Sequence, residues 1–181
     1  MFLEFIRWVH IIGAAVLLGT GSGIAFFMVM AHRTRDAKII AHTAGIVVIA
    51  DWILTTSAVI LQPITGAILA HQLGWPLFNG WVGLSLLLYI FVGIFWLPMI
   101  WIQHQLRDIA RESAKTAAPL PERYFKLYRI WFAAGFPAFI AVLIIVWLMI
   151  ARPVWQTLTN KPLHPFLKRG YNRILKPRII F

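Results

Sequence analysis

Four long apolar stretches dominate this sequence and leave little freedom for any other fold. They cover approximately residues 2–31, 43–71, 81–104 and 130–151. Each is at least as long as the ~20 residues that an α-helix needs to cross the hydrocarbon core of a bilayer. Because backbone amides in lipid must be paired within the segment, each stretch is expected to form a transmembrane helix. The sequence therefore predicts an all-α fold, an integral membrane four-helix bundle over residues 1–153, followed by a basic extramembrane tail over 154–181.

The composition agrees with this interpretation and excludes several classes of function. Hydrophobic residues make up 60% of the chain and charged residues 13%, whereas soluble domains average about 45–50% and about 25%. Cysteine is absent, which excludes disulfides, thiolate metal sites and cysteine nucleophiles. Lys and Arg outnumber Asp and Glu by 17 to 6. Most of these cations lie just outside the apolar stretches, so we expect lipid headgroups, not nucleic acid, as their partners.

The distribution of Lys and Arg predicts the orientation in the membrane. The links 32–42 and 105–129 are basic, whereas the link 72–80 carries no charge. Under the positive-inside rule the basic links are cytoplasmic, so both termini are expected outside, in the periplasm of a bacterial inner membrane. The tail is also basic, but most of its charges are too far from the last apolar stretch to count fully. It is the expected docking segment for other membrane subunits.

His10 is the first candidate site residue. It is the only ionisable residue between Trp8 and Ala31, and ionisable groups inside a membrane span are costly and are often functional. The residues that follow it on the same helical face are mostly small, namely Gly13, Ala14, Leu17 and Gly21. Such a face leaves room for a flat ligand, but it is equally typical of close helix packing.

His71 ends the second stretch on the same side of the membrane as His10. Two neutral imidazoles from neighbouring helices are a common ligand pair for haem iron. Arg7 lies one turn before His10, where its guanidinium would meet a haem propionate. We therefore predict haem b at His10 and His71, with Arg7 beside it. In the alternative interpretation Arg7 pairs with Glu4, and His71 is an interfacial residue without a ligand.

Two further polar groups carry weaker signals. His32, His42 and His104 all lie towards the inner side, where they would hold a second haem or a metal ion, or would simply be interfacial residues. Asp51 and Gln62 form a candidate intramembrane polar site in the second stretch. Asp51 needs a proton, a hydroxyl or a partner on another helix, and its candidate partners are Thr55, Thr20 and Ser22. This site would serve a proton path or join helices.

Several short segments resemble a known bacterial family. They are Trp8-Val-His-Ile-Ile-Gly, Ala31-His-Arg, Ala50-Asp-Trp, Gln62-Pro-Ile-Thr-Gly and Ala70-His. Together they resemble a family known only as predicted integral membrane proteins of unknown function, over roughly residues 3–153. The resemblance implies four membrane spans and no particular activity, with the tail as an extension.

The first of these segments also resembles, more distantly, the HemJ-type protoporphyrinogen oxidases and the CopD-type copper-resistance membrane proteins. In the HemJ-type family a histidine corresponding to His10 is associated with haem b, which agrees with the haem hypothesis. That family also relies on a lysine in its third span, and residues 81–103 contain none, so porphyrinogen oxidation is not implied. The leading hypothesis is a b-type haem protein that transfers electrons within a redox assembly. The alternative is a haem-free scaffold or assembly subunit that docks through its basic tail.

Overall fold

A computed structural model of the chain describes residues 1–153, and the regular structure there is helical throughout. It comprises α1 (Phe2–Thr34), α2 (Ala37–Gln72), α3 (Gly80–Thr116) and α4 (Glu122–Ala151). All four helices are long and apolar enough to cross a membrane. The predicted all-α membrane bundle is thereby confirmed. The predicted basic tail, residues 154–181, lies outside the described residues.

The helices are longer than the membrane is thick. They contain 33, 36, 37 and 30 residues, which corresponds to about 45–56 Å against a hydrocarbon core of about 30 Å. The link between α1 and α2 is short, and the Asp36 side chain caps α2 by accepting from the backbone amides of Lys38 and Ile39. The link at 117–121 contains Pro119 and Pro121, which cannot continue α3 because proline lacks an amide donor.

The chain runs up and down through the bundle, and consecutive helices are neighbours. We call the end with the two links 35–36 and 117–121 the inner end, and the end with the link 73–79 the outer end. At the outer end the Arg152 guanidinium lies 5.0 Å from the centre of the Trp75 ring. This contact joins the end of α4 to the link between α2 and α3.

Apolar packing is concentrated towards the inner end. The buried cluster there draws on all four helices and consists of Ile24, Met28, Ala31, Ile40, Ala44, Val47, Ile102, Leu106, Ala110, Tyr124, Tyr128 and Trp131. In the outer half of α3, by contrast, no residue from 86 to 101 is buried by the described chain. Lipid is as apolar as leucine and gives no hydrophobic drive for helix association. The buried cluster therefore holds the helices together through close packing of large side chains.

Helix α2 changes its main neighbour along its length. Its inner part, Ala37–Ala50, packs chiefly on α3, and its outer part, Thr56–Gln72, packs chiefly on α1. A π-helical turn, Asp51–Thr55, separates the two parts. Because a π turn holds more residues than an α turn, it shifts the register of the helical faces and allows this change of partner.

Truncation of Leu106 tests the position of the core. Leu106 is 0% exposed, so Leu106→Ala should lower the free energy of unfolding by about 2–5 kcal/mol through lost contacts and a cavity. Leu97 on the same helix is 64% exposed to the lipid side, and Leu97→Ala is the matched control with little expected effect. Denaturant titration in detergent micelles measures both. Equal losses for the two variants would contradict the burial of Leu106 in the cluster at the inner end.

Candidate functional site

His10 lies at the contact between α1 and the outer part of α2. Its Nδ1 is 2.8 Å from the hydroxyl oxygen of Thr65, and its ring packs against Gly66, where an added Cβ would lie 3.3 Å from His10 Cε1. The imidazole is half-buried, whereas Thr65 is buried. A residue predicted from α1 alone therefore contacts a specific face of α2.

The Thr65 hydroxyl decides which nitrogen of His10 carries the proton. Thr65 Oγ1 lies 2.7 Å from the backbone carbonyl of Leu61, so its single hydrogen is donated there. When the hydrogen is on that bond, the same oxygen accepts from His10, and the proton of the neutral imidazole is on Nδ1. In the neutral imidazole Nε2 consequently carries a free lone pair and is available as a metal ligand or proton acceptor.

Gln62 fixes the backbone on the other side of His10. Its side-chain amide donates to the His10 carbonyl oxygen at 2.8 Å, and it occupies the space above Gly13, where an added Cβ would overlap the Gln62 amide nitrogen. Gln62 and Gly13 are both buried. Part of the small-residue face next to His10 thus serves close helix packing, whereas Gly21 has open space around it.

The other residues predicted at this site are on the surface of the described chain. Arg7 is exposed one turn before His10, and Glu4 pairs with the N-terminal amine of Met1 at 2.8 Å rather than with Arg7. His71 is exposed in the last turn of α2. It follows Thr65 by six residues, which places it about 9 Å further along the axis and about 120° around it. The fold does not bring His71 to the face of α2 that His10 contacts, and its role as second ligand stays a prediction.

Asp51 forms a second polar cluster, about 14 residues along α2 from Thr65 and towards the inner end. Only 5% of its surface is exposed, and it begins the π-helical turn of α2. Its Oδ2 accepts a 3.0 Å hydrogen bond from the Gln103 amide of α3. A carboxyl group that the sequence left without a definite partner is therefore joined to the neighbouring helix.

Trp131 of α4 sets the orientation of that amide. Its indole nitrogen lies 3.2 Å from the Gln103 side-chain oxygen, and an indole can only donate. The Gln103 oxygen must accept from Trp131, so its NH₂ group faces Asp51. The indole of Trp96 also lies beside Asp51, and its buried N–H has no hydrogen-bond partner among residues 1–153. One chain of contacts thus links α2, α3 and α4.

The surroundings of Asp51 agree only in part with those expected from the sequence. Thr55 lies beside Asp51 and also donates to Thr20 of α1 at 3.2 Å, whereas Ser22 is exposed and bonds to the carbonyl of Leu18 in its own helix at 2.7 Å. The sequence missed Gln103, which donates to Asp51, and Trp131, which orients Gln103. An amide at the end of an apolar stretch is a weak signal, because many such residues simply face headgroups.

The three inner histidines lie in three different environments. His32 stacks on Tyr128 with ring centres 3.5 Å apart, and its Nδ1 is 3.3 Å from the Tyr124 hydroxyl. His104 Nε2 accepts from the Trp52 indole at 3.4 Å, and His42 is exposed. Within residues 1–153 no group of three potential metal ligands is present, so the structure does not assemble the predicted inner histidine group.

The contact between Gly13 and Gln62 gives a direct test of the packing around His10. Gly13→Ala should lower the free energy of unfolding by about 1–3 kcal/mol, because the added methyl group overlaps Gln62. Adding Gln62→Ala should restore part of this loss, since it removes the obstructing amide. Gly21→Ala is the control, because nothing lies within 4 Å of that position. Additive losses in the double variant would contradict the contact.

The Asp51 cluster makes a second prediction. Gln103→Leu should cost about 1–3 kcal/mol of stability, because Asp51 loses its amide donor in a buried setting. Trp131→Phe should also cost stability, partly through lost core packing, and its cost should be smaller when Gln103 is already leucine, because the hydrogen bond between Trp131 and Gln103 is then absent. Trp101→Phe at an exposed position of α3 controls for loss of an indole. Chemical unfolding of all four variants measures the coupling, and an unchanged Trp131 effect in the Gln103→Leu background would refute it.

Comparison with known proteins agrees with the four-helix membrane architecture. A family model described as "Predicted integral membrane protein (DUF2269)" matches residues 4–153, which cover all four helices apart from the first two residues of α1. No curated protein and no solved structure gives a significant match. The distant resemblance to HemJ-type and CopD-type proteins stays a prediction. The chain belongs to the DUF2269 family of predicted integral membrane proteins.

Proposed function

We propose that this protein binds haem b through His10 and acts as an electron-transfer component of a redox assembly in a bacterial inner membrane. The observation that carries the proposal is the hydrogen bond between His10 Nδ1 and Thr65. With the Thr65 hydrogen on the Leu61 carbonyl, this bond holds the imidazole in the form whose Nε2 lone pair is free, at the contact between two membrane helices.

The chemistry of His10 fits an axial ligand. Histidines that bind metals usually donate their other ring N–H to a fixed acceptor, which sets the tautomer and the orientation of the ring. Thr65 supplies that acceptor, and its own proton is held by the Leu61 carbonyl. Iron bound at Nε2 would supply one-electron chemistry, while the chain holds and orients the ligand.

Arg7 and His71 complete the proposed site. Arg7 is exposed on α1, and its long side chain can place a guanidinium near a carboxylate at the membrane surface. His71 is proposed as the second ligand. The helical geometry of α2 places it on a different face from Thr65, the residue that His10 contacts. The second ligand is therefore the part of the site that the experiment must resolve.

The proposed orientation rests on charge. The basic residues at the inner end are Arg33, Arg35, Lys38, Arg107, Arg111, Lys115, Arg123, Lys126 and Arg129. By the positive-inside rule this end is cytoplasmic. In that orientation His10, the start of α1 and the end of α4 lie towards the periplasm, and an electron partner would approach His10 from that side.

Absorption spectra of the purified protein test the proposal. Protein from a haem-replete host should show a b-type spectrum on reduction with dithionite, and His10→Ala should abolish it. Thr65→Val, which keeps the shape but removes the acceptor, should weaken haem binding about 10–100-fold. His42→Ala at the inner end is the control and should leave the spectrum unchanged.

His71→Ala identifies the second ligand in the same series. If His71 ligates the iron, its loss should convert a low-spin spectrum to a high-spin one. An unaltered low-spin spectrum would assign the second position to another residue. A haem-free wild-type protein, or a full spectrum in His10→Ala, would refute the proposal as a whole.

One observation favours a second candidate, a haem-free scaffold or assembly subunit. Gly13 and Gly66 both accommodate side chains of the neighbouring helix, so the contacts of His10 and Gln62 by themselves join α1 to α2. In this function the docking segment would be residues 154–181, which lie outside the described part of the chain. Absence of haem together with loss of bound proteins on deletion of 156–181 would support the scaffold.

A further inference from the structure

A groove lies between α2 and α3 at the inner end, apart from the His10 and Asp51 clusters. It is lined by Ala41, His42, Gly45, Ile46, Ile49 and Arg111, and its volume is about 380 Å³. Gly45 leaves this space open, because it has no side chain at the position where a larger residue would approach the guanidinium of Arg111. A Cβ at that position would lie 3.5 Å from Arg111 Nη2.

Arg111 is the main charge of the groove. It forms no salt bridge with any residue in the described range 1–153. Asp108, which lies about one turn before Arg111 on α3, is bonded to Arg107 at 2.8 Å. A guanidinium offers a fork of donors that matches two oxygens of a phosphate. The groove thus presents a cation whose hydrogen-bonding capacity is not consumed by the helices around it.

The groove is polar at one end and apolar at the other. His42 and Arg111 form its polar end, whereas Ile46 and Ile49 are 55% and 60% exposed. Since α2 runs from the inner end towards the outer end, Ile49 lies about 10 Å deeper than His42. The groove therefore runs from the headgroup region into the hydrocarbon, with its charge at the headgroup level.

We propose that this groove binds one anionic phospholipid, with the headgroup phosphate on Arg111 and His42 and an acyl chain along Ile46 and Ile49. Basic pockets between membrane helices on the cytoplasmic side are suited to acidic headgroups. Lys38, one turn before His42 on α2, adds positive charge at the same end of the groove and favours an anionic lipid over a zwitterionic one. This proposal is independent of haem at His10.

Native mass spectrometry of the full chain in detergent, titrated with phosphatidylglycerol or phosphatidylethanolamine, tests the site. We expect one phosphatidylglycerol molecule to be retained preferentially. Arg111→Gln should weaken its binding about fivefold, which corresponds to the ~1 kcal/mol contributed by one basic residue at a membrane surface. Lys115→Gln, which removes the same charge one turn later on α3, is the matched control and should bind nearly as well as the wild type.

A second pair of variants separates the shape of the groove from its charge. Gly45→Leu fills the groove and keeps every cation, so it should abolish the retained lipid. Gly45→Ala is its control, because a Cβ at 3.5 Å from Arg111 is an ordinary contact. If Gly45→Leu does not fold, Arg111→Gln and Lys115→Gln carry the test.

Three results would overturn the proposal. Equal losses in Arg111→Gln and Lys115→Gln would show diffuse attraction to the whole basic end. Equal retention of phosphatidylethanolamine would show a site without charge selectivity. Displacement of the lipid by inorganic phosphate at concentrations close to those of the lipid would assign the groove to a free anion.

Discussion

The bilayer offers no hydrophobic driving force between helices, and the rest of this structure depends on that constraint. Within lipid, α1 and α2 are joined by glycine contacts, by the hydrogen bond between His10 and Thr65, and by the bond that Gln62 donates to the His10 carbonyl. Towards the inner end, large apolar side chains such as Met28 and Leu106 are fully buried. The same helices therefore use two kinds of packing, glycine and polar contacts between α1 and the outer part of α2, and large apolar side chains towards the inner end.

Polar side chains inside the bundle are expensive, and both His10 and Asp51 have definite partners on neighbouring helices. The amide of Gln103 gains its direction from Trp131 and passes a hydrogen bond to Asp51. Thr65 orients His10 in a similar way. Its hydroxyl can donate to the Leu61 carbonyl and accept from His10 Nδ1. In both clusters a residue outside the candidate site fixes the protonation or orientation of the residue within it. Such fixed geometry is what a ligand site needs, and it also gives the helices their relative positions.

The π turn at Asp51–Thr55 connects these features. It allows α2 to direct Thr65 and Gln62 towards α1 and, on its inner side, to pack against α3. The groove next to Arg111 lies on that inner side. The irregular turn thus separates the part of α2 that contacts His10 from the part that meets the headgroup region. Irregular turns of this kind are often found at functional positions in membrane and soluble helices.

The sequence by itself determined the all-α membrane fold, because stretches of this length and apolarity can satisfy their backbone in lipid only as helices. It also identified His10, Asp51 and Gln62, since buried polar residues stand out against an apolar background. Only the tertiary structure decided their partners. Thr65, Gln103 and Trp131 are ordinary residues in their own helices and become relevant only through the register between helices. That register depends on glycine contacts and on a π turn, neither of which leaves a local pattern in the sequence. For the same reason, the separation of His71 from the His10 contacts and the dispersal of His32, His42 and His104 emerged only from the packed helices.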